Sequence, residues 1–377
     1  INSSLYYNIC VVQFIKAIIS KKNNIKLIIV ESYALKQILL HIIKKNKSNI
    51  KIKYNKYYFK YFISIKLKLF TFFLYNLLIK IYQKFLSIIM LSKNNIELNQ
   101  SIILVDTYVF PGFFSKDRYF NGLYENLSQR DKRDLFFFPT VVMTGFLKLF
   151  EAYKELRNTQ RKFLIKEDYI TLTDIVISVL FCIRIIFFKV NFIKFDDVEI
   201  SSLINEELHS LSGYTLAIEG LQNYYFIKRL KQKGVKIKLL IDWWENQSTD
   251  KALHLALHKY YPNTKSIGYL GYIPRKMELQ LYPSVYEVKL NTVPKTISVI
   301  GKALINEIKE FNHHHHIIVA PAFRFQHLWK NNFIIKKNFL KFTILVALPI
   351  TERESIYILD LLIKSKLFLN KKKYKII

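Results

Sequence analysis

Residues 234–271 read GVKIKLLIDWWENQSTDKALHLALHKYYPNTKSIGYLG, and the order of elements in this stretch decides the fold. Gly234 closes a basic turn (Lys228, Arg229, Lys231, Lys233), as suits a helix C-terminus, where cations meet the negative end of the dipole and glycine accepts a left-handed backbone. Lys236 to Asp242 is a short, largely apolar strand. Ser248 or Thr249 can cap the helix Asp250 to Tyr260, with Asp250 in its first turn. Lys265 to Gly271 is again a strand. Strand, helix and strand in so short a span make a βαβ unit, and βαβ units build parallel sheets.

The same alternation extends both ways. Downstream come strands Thr296 to Gly301, Ile317 to Ala320 and Thr343 to Leu348, then helix Glu352 to Lys364. Tyr374 to Ile377 resembles the opening of one more strand, so the chain is expected to be truncated at its C-terminus. A missing initiator Met carries the same expectation for the beginning. Upstream, strands Lys26 to Val30, Ile102 to Val109 and Leu135 to Val142 are separated by helical patterns at Ala34 to Lys44, Tyr57 to Leu91, Thr144 to Lys166 and Thr171 to Val190, ahead of a helix Tyr214 to Lys233. An α/β fold with parallel sheets is predicted. At about 150 residues per domain, 377 residues suggest two domains. They are placed at 1–212, with the extra helices, and 213–377.

Half the chain is hydrophobic (51%), enough for a core and far from the composition of disordered chains. The charge is 58 − 28 = +30, which favours an anionic partner such as lipid headgroups, nucleic acid or a phosphate-bearing substrate. The abundance of Ile, Lys and Asn would also follow from AT-rich coding, with much of the charge on solvated faces. Cys10 and Cys182 offer neither a disulfide framework nor zinc spacing and read as buried thiols of a reduced, cytoplasmic protein. Ile1 to Ser20 lacks a secretory pattern. The apolar runs Leu69 to Ile79 and Ile175 to Phe188 fall short of the roughly 20 residues of a membrane span. Tyr57 to Leu91, with Lys60, Lys66, Lys68, Lys80 and Lys84, reads either as a basic helix at an anionic membrane surface or as a core helix with snorkelling lysines.

Ligands of open parallel sheets bind beyond the carboxyl ends of the strands, which selects four segments. After Asp242, the run Trp243, Trp244, Glu245, Asn246 and Gln247 offers flat apolar faces for stacking and polar groups for hydroxyls, or else interface packing and helix caps. Beyond Ile317 to Ala320, Arg324 suits a phosphate, Gln326 a polar contact, and His327 a leaving-group oxygen. After Leu348, the Thr351 hydroxyl and the following helix start can hold a donor phosphate, and Glu352 and Glu354 favour that start. In the first half, Arg118 and the candidate bases Asp106, Asp117 and Glu125 lie around the end of Ile102 to Val109, and nothing in their spacing ranks them. His254 and His258 stand at metal-compatible spacing but lack a zincin's glutamate and read as a partly exposed face. His313 to His316 reads as a loop tract. There is no Walker loop, no Gly-x-Gly-x-x-Gly and no Asp-x-Asp, so no metal and no cofactor is expected.

Taken together, Ile241 to Gln247 with Asp250-Lys251, Lys259 to Pro262, Gly268-Tyr269, Gly271 to Pro274, Tyr282-Pro283, Pro294, Val299 to Lys302 and Ala320 to Trp329 resemble the surface carbohydrate (O-antigen) biosynthesis protein family. Asp117 to Tyr119 and Pro139-Thr140 extend the likeness more loosely, so that it covers roughly Ile102 to the end. The resemblance implies a GT-B-like glycosyltransferase: two Rossmann-like domains facing a cleft, with the nucleotide-sugar donor on the C-terminal domain and a glycan or lipid-linked acceptor on the N-terminal one. It implies metal-independent sugar transfer in lipopolysaccharide or capsule assembly, in the cytoplasm or at the inner face of its membrane, without nucleic acid. Two alternatives are a nucleotide-sugar epimerase of the same fold and a non-catalytic basic protein that binds membrane surfaces or nucleic acid.

Overall fold

The computed structural model describes residues 4–21, 25–46, 48–54, 58–90, 96, 100–110, 118–142, 145–209, 213–275, 278–330, 342–348, 352–365 and 374–376. The chain divides into two compact units, Ile1–Gln326 and His327–Ile377.

In the first unit the helices are α1 (Ser4–Ser20), α2 (Tyr33–Lys45), α3 (Tyr58–Ile89), α4 (Leu123–Asn126), α5 (Gln129–Asp134), α6 (Phe146–Asn158), α7 (Leu172–Ile183), α8 (Ser201–Leu208), α9 (Tyr214–Gln232), α10 (Ser248–Tyr260), α11 (Val285–Lys289) and α12 (Leu304–Ile308). Strands β1 (Leu27–Val30) and β2 (Lys51–Tyr54) pair in parallel, and β5 (Lys194–Phe195) and β6 (Val198–Glu199) pair antiparallel. The main sheet contains β3 (Ser101–Val109), β4 (Leu135–Val141), β7 (Lys236–Trp243), β8 (Lys265–Leu270), β9 (Thr296–Val299) and β10 (His316–Val319). Its order is β10-β9-β8-β7-β3-β4, and every neighbouring pair is parallel.

The sheet is covered on both faces, and alternation along β3 and β4 assigns the residues. Ile102, Leu104, Phe136 and Phe138 pack with Leu240 against Phe226, Ile227 and Leu230 of α9 and Leu253 and Leu257 of α10. Their neighbours Ile103, Val105, Leu135 and Phe137 face Leu149, Tyr153 and Leu156 of α6 and Leu86 of α3. Gly220 lets α9 and α10 approach: a Cβ there would lie 2.4 Å from the Ser248 carbonyl oxygen. A separate core joins α1, α2, β1 and α8.

An α/β architecture is thus observed, with the strands arranged differently from expectation. Strands from both sides of residue 212 share one sheet, because β3 is apolar on both faces and has β7 as its second neighbour. The boundary expected at 212/213 falls between α8 and α9, inside the first unit. The helix expected to run from Thr144 to Lys166 ends at Asn158, because the following chain returns to the sheet and Phe163 bridges to Phe137. Cys182 is buried, whereas Cys10 is exposed on α1, contrary to expectation. The second unit holds α13 (His327–Lys330), α14 (Glu352–Lys364) and the parallel pair β11 (Phe342–Ile344) and β12 (Tyr374–Ile376).

Under α3 lies a buried ionic cluster. Glu219 of α9 accepts hydrogen bonds from Lys80 of α3 and from Lys166, and Lys166 Nζ is 3.3 Å from Asn223 Oδ1. Burial alone would raise the Glu219 carboxyl, but the two lysines pull it down to about 2. Buried charges of this kind hold only as a complete set. Glu219→Ala is expected to lower unfolding free energy by about 3–5 kcal/mol by stranding two ammonium groups. Urea unfolding measures this, and a loss below about 1 kcal/mol would contradict the assigned pairing.

Candidate functional site

A ligand site of an open parallel sheet forms where strand order reverses, because successive connections there depart in opposite directions. Here the reversal lies between β3, which leads to β4 on one side, and β7, which leads to β8 on the other. Val105 is paired with Ile241, so Asp106 and Asp242 follow side by side at the carboxyl ends.

Both aspartates are buried and share a hydrogen bond. Two contacting carboxyls in a low dielectric cannot both ionise. Burial, reinforced by the charges of Asp242 and Asp250, pushes the Asp106 carboxyl well above its ordinary range. Burial raises Asp242 to about 7 against the hydrogen bond from Asp106. The pair therefore shares a proton near neutral pH. His254 of α10 places Nε2 at 2.9 Å from Asp242 Oδ2, and burial lowers its imidazole to about 4. The ring is neutral and hydrogen-bonds Asp242. Asp250, in the first turn of α10, accepts from the backbone N–H groups of Glu245 (3.0 Å) and Gln247 (2.9 Å) and from the Thr249 hydroxyl (2.9 Å). Burial outweighs these bonds and raises Asp250 to about 8. Asp106 Oδ1, Asp242 Oδ1 and His254 Nδ1 have no hydrogen-bond partner among the described residues.

Half-buried side chains surround this acid cluster. The Tyr108 hydroxyl lies 3.4 Å from Thr249 Oγ1, and burial followed by the charges of Asp250 and Asp106 holds it well above its usual range. The Tyr119 ring is 5.9 Å from that of Tyr108 and 4.2 Å from that of Trp243, which stacks on Tyr272 at 6.1 Å. Glu245 is fixed by hydrogen bonds from Trp243 Nε1 (2.8 Å) and Gln247 Nε2 (2.6 Å). The Arg324 turn comes in from β10. Tyr269 donates to the Pro321 carbonyl (2.9 Å) and accepts from the Phe323 N–H (3.1 Å), while the Phe323 ring packs on Tyr269 at 5.6 Å. Burial raises the Tyr272 hydroxyl, Glu245 adds to this and Arg324 opposes it. The tryptophan turn and the arginine turn thus meet at Tyr269, whose ring lies 5.7 Å from that of Trp243 and 5.6 Å from that of Phe323.

Several expected site residues play other parts. Trp244 is fully buried and packs with Leu270 and Ile297, so it lines no cleft. Asn246 is buried, with its Nδ2 donating to the Gln280 carbonyl (2.6 Å) and to Glu287 (3.0 Å). Gln247 also caps α10, and the Gln326 side chain lies over Gly122. Asp106 stands at the expected place, at the carboxyl end of β3, buried beside Asp242 with burial pushing its carboxyl well above the ordinary range. Glu125 is exposed and paired with Arg161 at 2.8 Å, away from the acid cluster. Arg118 is exposed. His327 opens α13 in the second unit. Asp117 and Thr351 lie outside the described residues. His254 is no partly exposed face residue, because α10 turns it onto the sheet, while His258 is half-buried beside the Val293 carbonyl. His316 belongs to β10, and only the preceding histidines lie in a loop. Tyr108, Asp250, His254 and Tyr272 are site residues that sequence reasoning missed. The available signal was an apolar run ending in aspartate, present twice, at Asp106 and at Asp242.

Among the described residues no three His, Cys, Asp or Glu side chains converge as metal ligands. A separate cavity of about 370 Å³ lies between α1 and α2, and its polar lining is accounted for by Lys16 and Lys45 pairing with Asp197.

The acid cluster gives stability a definite pH dependence. Above about pH 7 histidines are mostly neutral in both states, while Asp242 and Asp250 still hold protons only in the folded state. Folded protein then binds more protons than unfolded, so stability falls as pH rises through about 7 and 8, by at most about 1.4 kcal/mol per pH unit per carboxyl. Asp250→Asn, which keeps the shape of the protonated acid, is expected to flatten that slope. Urea midpoints across this range check it, and a wild-type midpoint that rises with pH would contradict the assignment. No family model, curated protein or solved structure matches the chain.

Proposed function

We propose that the protein transfers a sugar from a nucleotide-sugar donor to a glycan or lipid-linked acceptor in surface-polysaccharide assembly. The observation that supports this best is the half-buried layer at the strand-order reversal: the rings of Tyr108, Tyr119 and Tyr272, the anchored Glu245–Gln247 pair, and the separate turn of Arg324, whose neighbour Phe323 packs on Tyr269. Aromatic rings suit a base or a sugar face, a carboxylate and an amide suit hydroxyls, and a guanidinium suits a diphosphate. In this proposal Arg324 steadies the departing diphosphate, the role that basic side chains and helix amides take where metal is not used. In this proposal Glu245, held by Trp243 and Gln247, takes the proton of the acceptor hydroxyl, and the Asp106–Asp242 pair positions β3 and β7 beneath it. The GT-B-like division of labour is proposed in modified form, with the donor on the β7 to β10 side of the reversal and the acceptor toward the loops after β3 and β4.

The test is a melting-temperature survey with uridine, guanosine, thymidine and cytidine diphosphate sugars. A true donor at about 100 times its Kd adds about 2.7 kcal/mol of stability and raises Tm by several degrees. Arg324→Ala is expected to abolish the shift, while Glu245→Gln keeps it and removes nucleoside diphosphate release to an added acceptor. Conversion of the donor without an acceptor would instead favour an epimerase. No shift with any donor, or an undiminished shift in the Arg324 variant, would overturn the proposal.

A further inference from the structure

We propose that the outer face of α3 docks the protein on an anionic lipid bilayer, on which the helix lies without crossing. An α-helix turns about 100° per residue. Phe70, Leu74, Leu78, Ile81, Phe85 and Ile88 therefore fall within about 80° of arc and form one stripe about 27 Å long. All six are exposed, from 38% at Ile81 to 58% at Phe70 and Ile88. Soluble monomers rarely leave so long an unbroken apolar strip in water. Helices α6 and α7 pack against α3 and carry exposed apolar side chains of their own, among them Leu147 and Phe181.

The opposite face decides between lying on a membrane and spanning it. By length and composition alone, Leu67–Ile89 would suffice to cross. However, Asn76, Lys80, Gln83 and Ser87 occupy the arc opposite the stripe, and all are buried in the protein. Crossing would take Lys80 from Glu219 and place Gln83 in hydrocarbon. A helix with one greasy face and one face built into an α/β body belongs at the interface.

Charge identifies the occupant. From Ser32 to Ile96 there is no aspartate or glutamate, and every charged side chain is a lysine. Lys68 on α3, Lys148 on α6, and Arg184 and Lys189 after α7 are exposed. The Arg184 guanidinium lies 4.0 Å over the Phe181 ring, with an apolar body and a cationic tip, as side chains at headgroup level are built. Anionic headgroups neutralise these cations, whereas α3 of a second copy offers them no carboxylate. Nothing here depends on the sugar-transfer proposal.

The experiment is co-sedimentation of the whole chain with vesicles of phosphatidylcholine alone and of equal parts phosphatidylcholine and phosphatidylglycerol. Wild type is expected to partition at least about tenfold more strongly onto the anionic vesicles. The triple variant Phe70→Ser, Leu74→Ser, Phe85→Ser changes only exposed positions; with an unchanged urea midpoint it is expected to lose at least about tenfold in partitioning. Lys68→Glu with Lys148→Glu keeps the stripe and is expected to lose the anionic preference, a result that stands even if the triple variant misfolds. Wild type left in the supernatant with both vesicles, equal binding to both, or variants that pellet as wild type does would overturn the proposal. So would a wild-type oligomer in the ultracentrifuge that the triple variant dissociates, which would make a second copy the occupant.

Discussion

The register between β3 and β7 is the constraint on which the rest depends. Because Val105 lies beside Ile241, the next residue on each strand is an aspartate against an aspartate. A dry interior does not tolerate two adjacent negative charges, so the pair holds a proton and recruits neutral partners. His254 is one, kept uncharged by burial, and Asp250 is another acid held above its usual range. α10 carries both of them, and its first turn fixes the Glu245–Gln247 segment through Asp250. A one-residue slip of β7 would separate the aspartates and turn its apolar side chains to the wrong faces.

Much of the fold was legible because the signals were local. The glycine after α9 has φ 74°, the stop that its sequence implied. The strands around β7 and β8 and the helix α14 appear close to where apolar runs and caps placed them. β2 was missed because Lys51-Ile52-Lys53-Tyr54 is a mere four residues in a lysine-rich stretch, too short for alternation to speak. α1 was read for targeting signals alone. The merging of both halves into one sheet was invisible, since the partner of β3 lies far along the chain and no local pattern names it. At the site, the tryptophan turn was legible, but the different surroundings of its two indoles were not. Both indoles are buried; Trp243 joins the aromatic layer and Trp244 points into the neighbouring core. Adjacent residues at a strand end diverge, and composition does not say which joins which core.

Charge is sorted by depth in this molecule. The excess of lysine lies outside, while acids gather within: Asp106, Asp242 and Asp250 around the carboxyl ends of β3 and β7, Glu167 and Glu219 under α3. Lys166 links the two groups, since its charge acts on Asp106 while it pairs with Glu219. Helix α3 and the carboxyl ends of β3 and β7 are thereby connected through one electrostatic assembly, although they lie on different layers.

The placement of β3 also has a consequence for how the chain is made. Its two neighbours emerge at very different times: β4 follows shortly, but β7 begins at Lys236. At roughly 5–20 residues per second of synthesis, one whole edge of this apolar strand stays unpaired for about ten seconds. During that interval the half-built sheet presents an open row of amides and carbonyls to any other nascent chain on the same message. A ribosome-associated holdase, or a slow stretch of codons placed after β7 instead of before it, would decide how much of the product escapes aggregation.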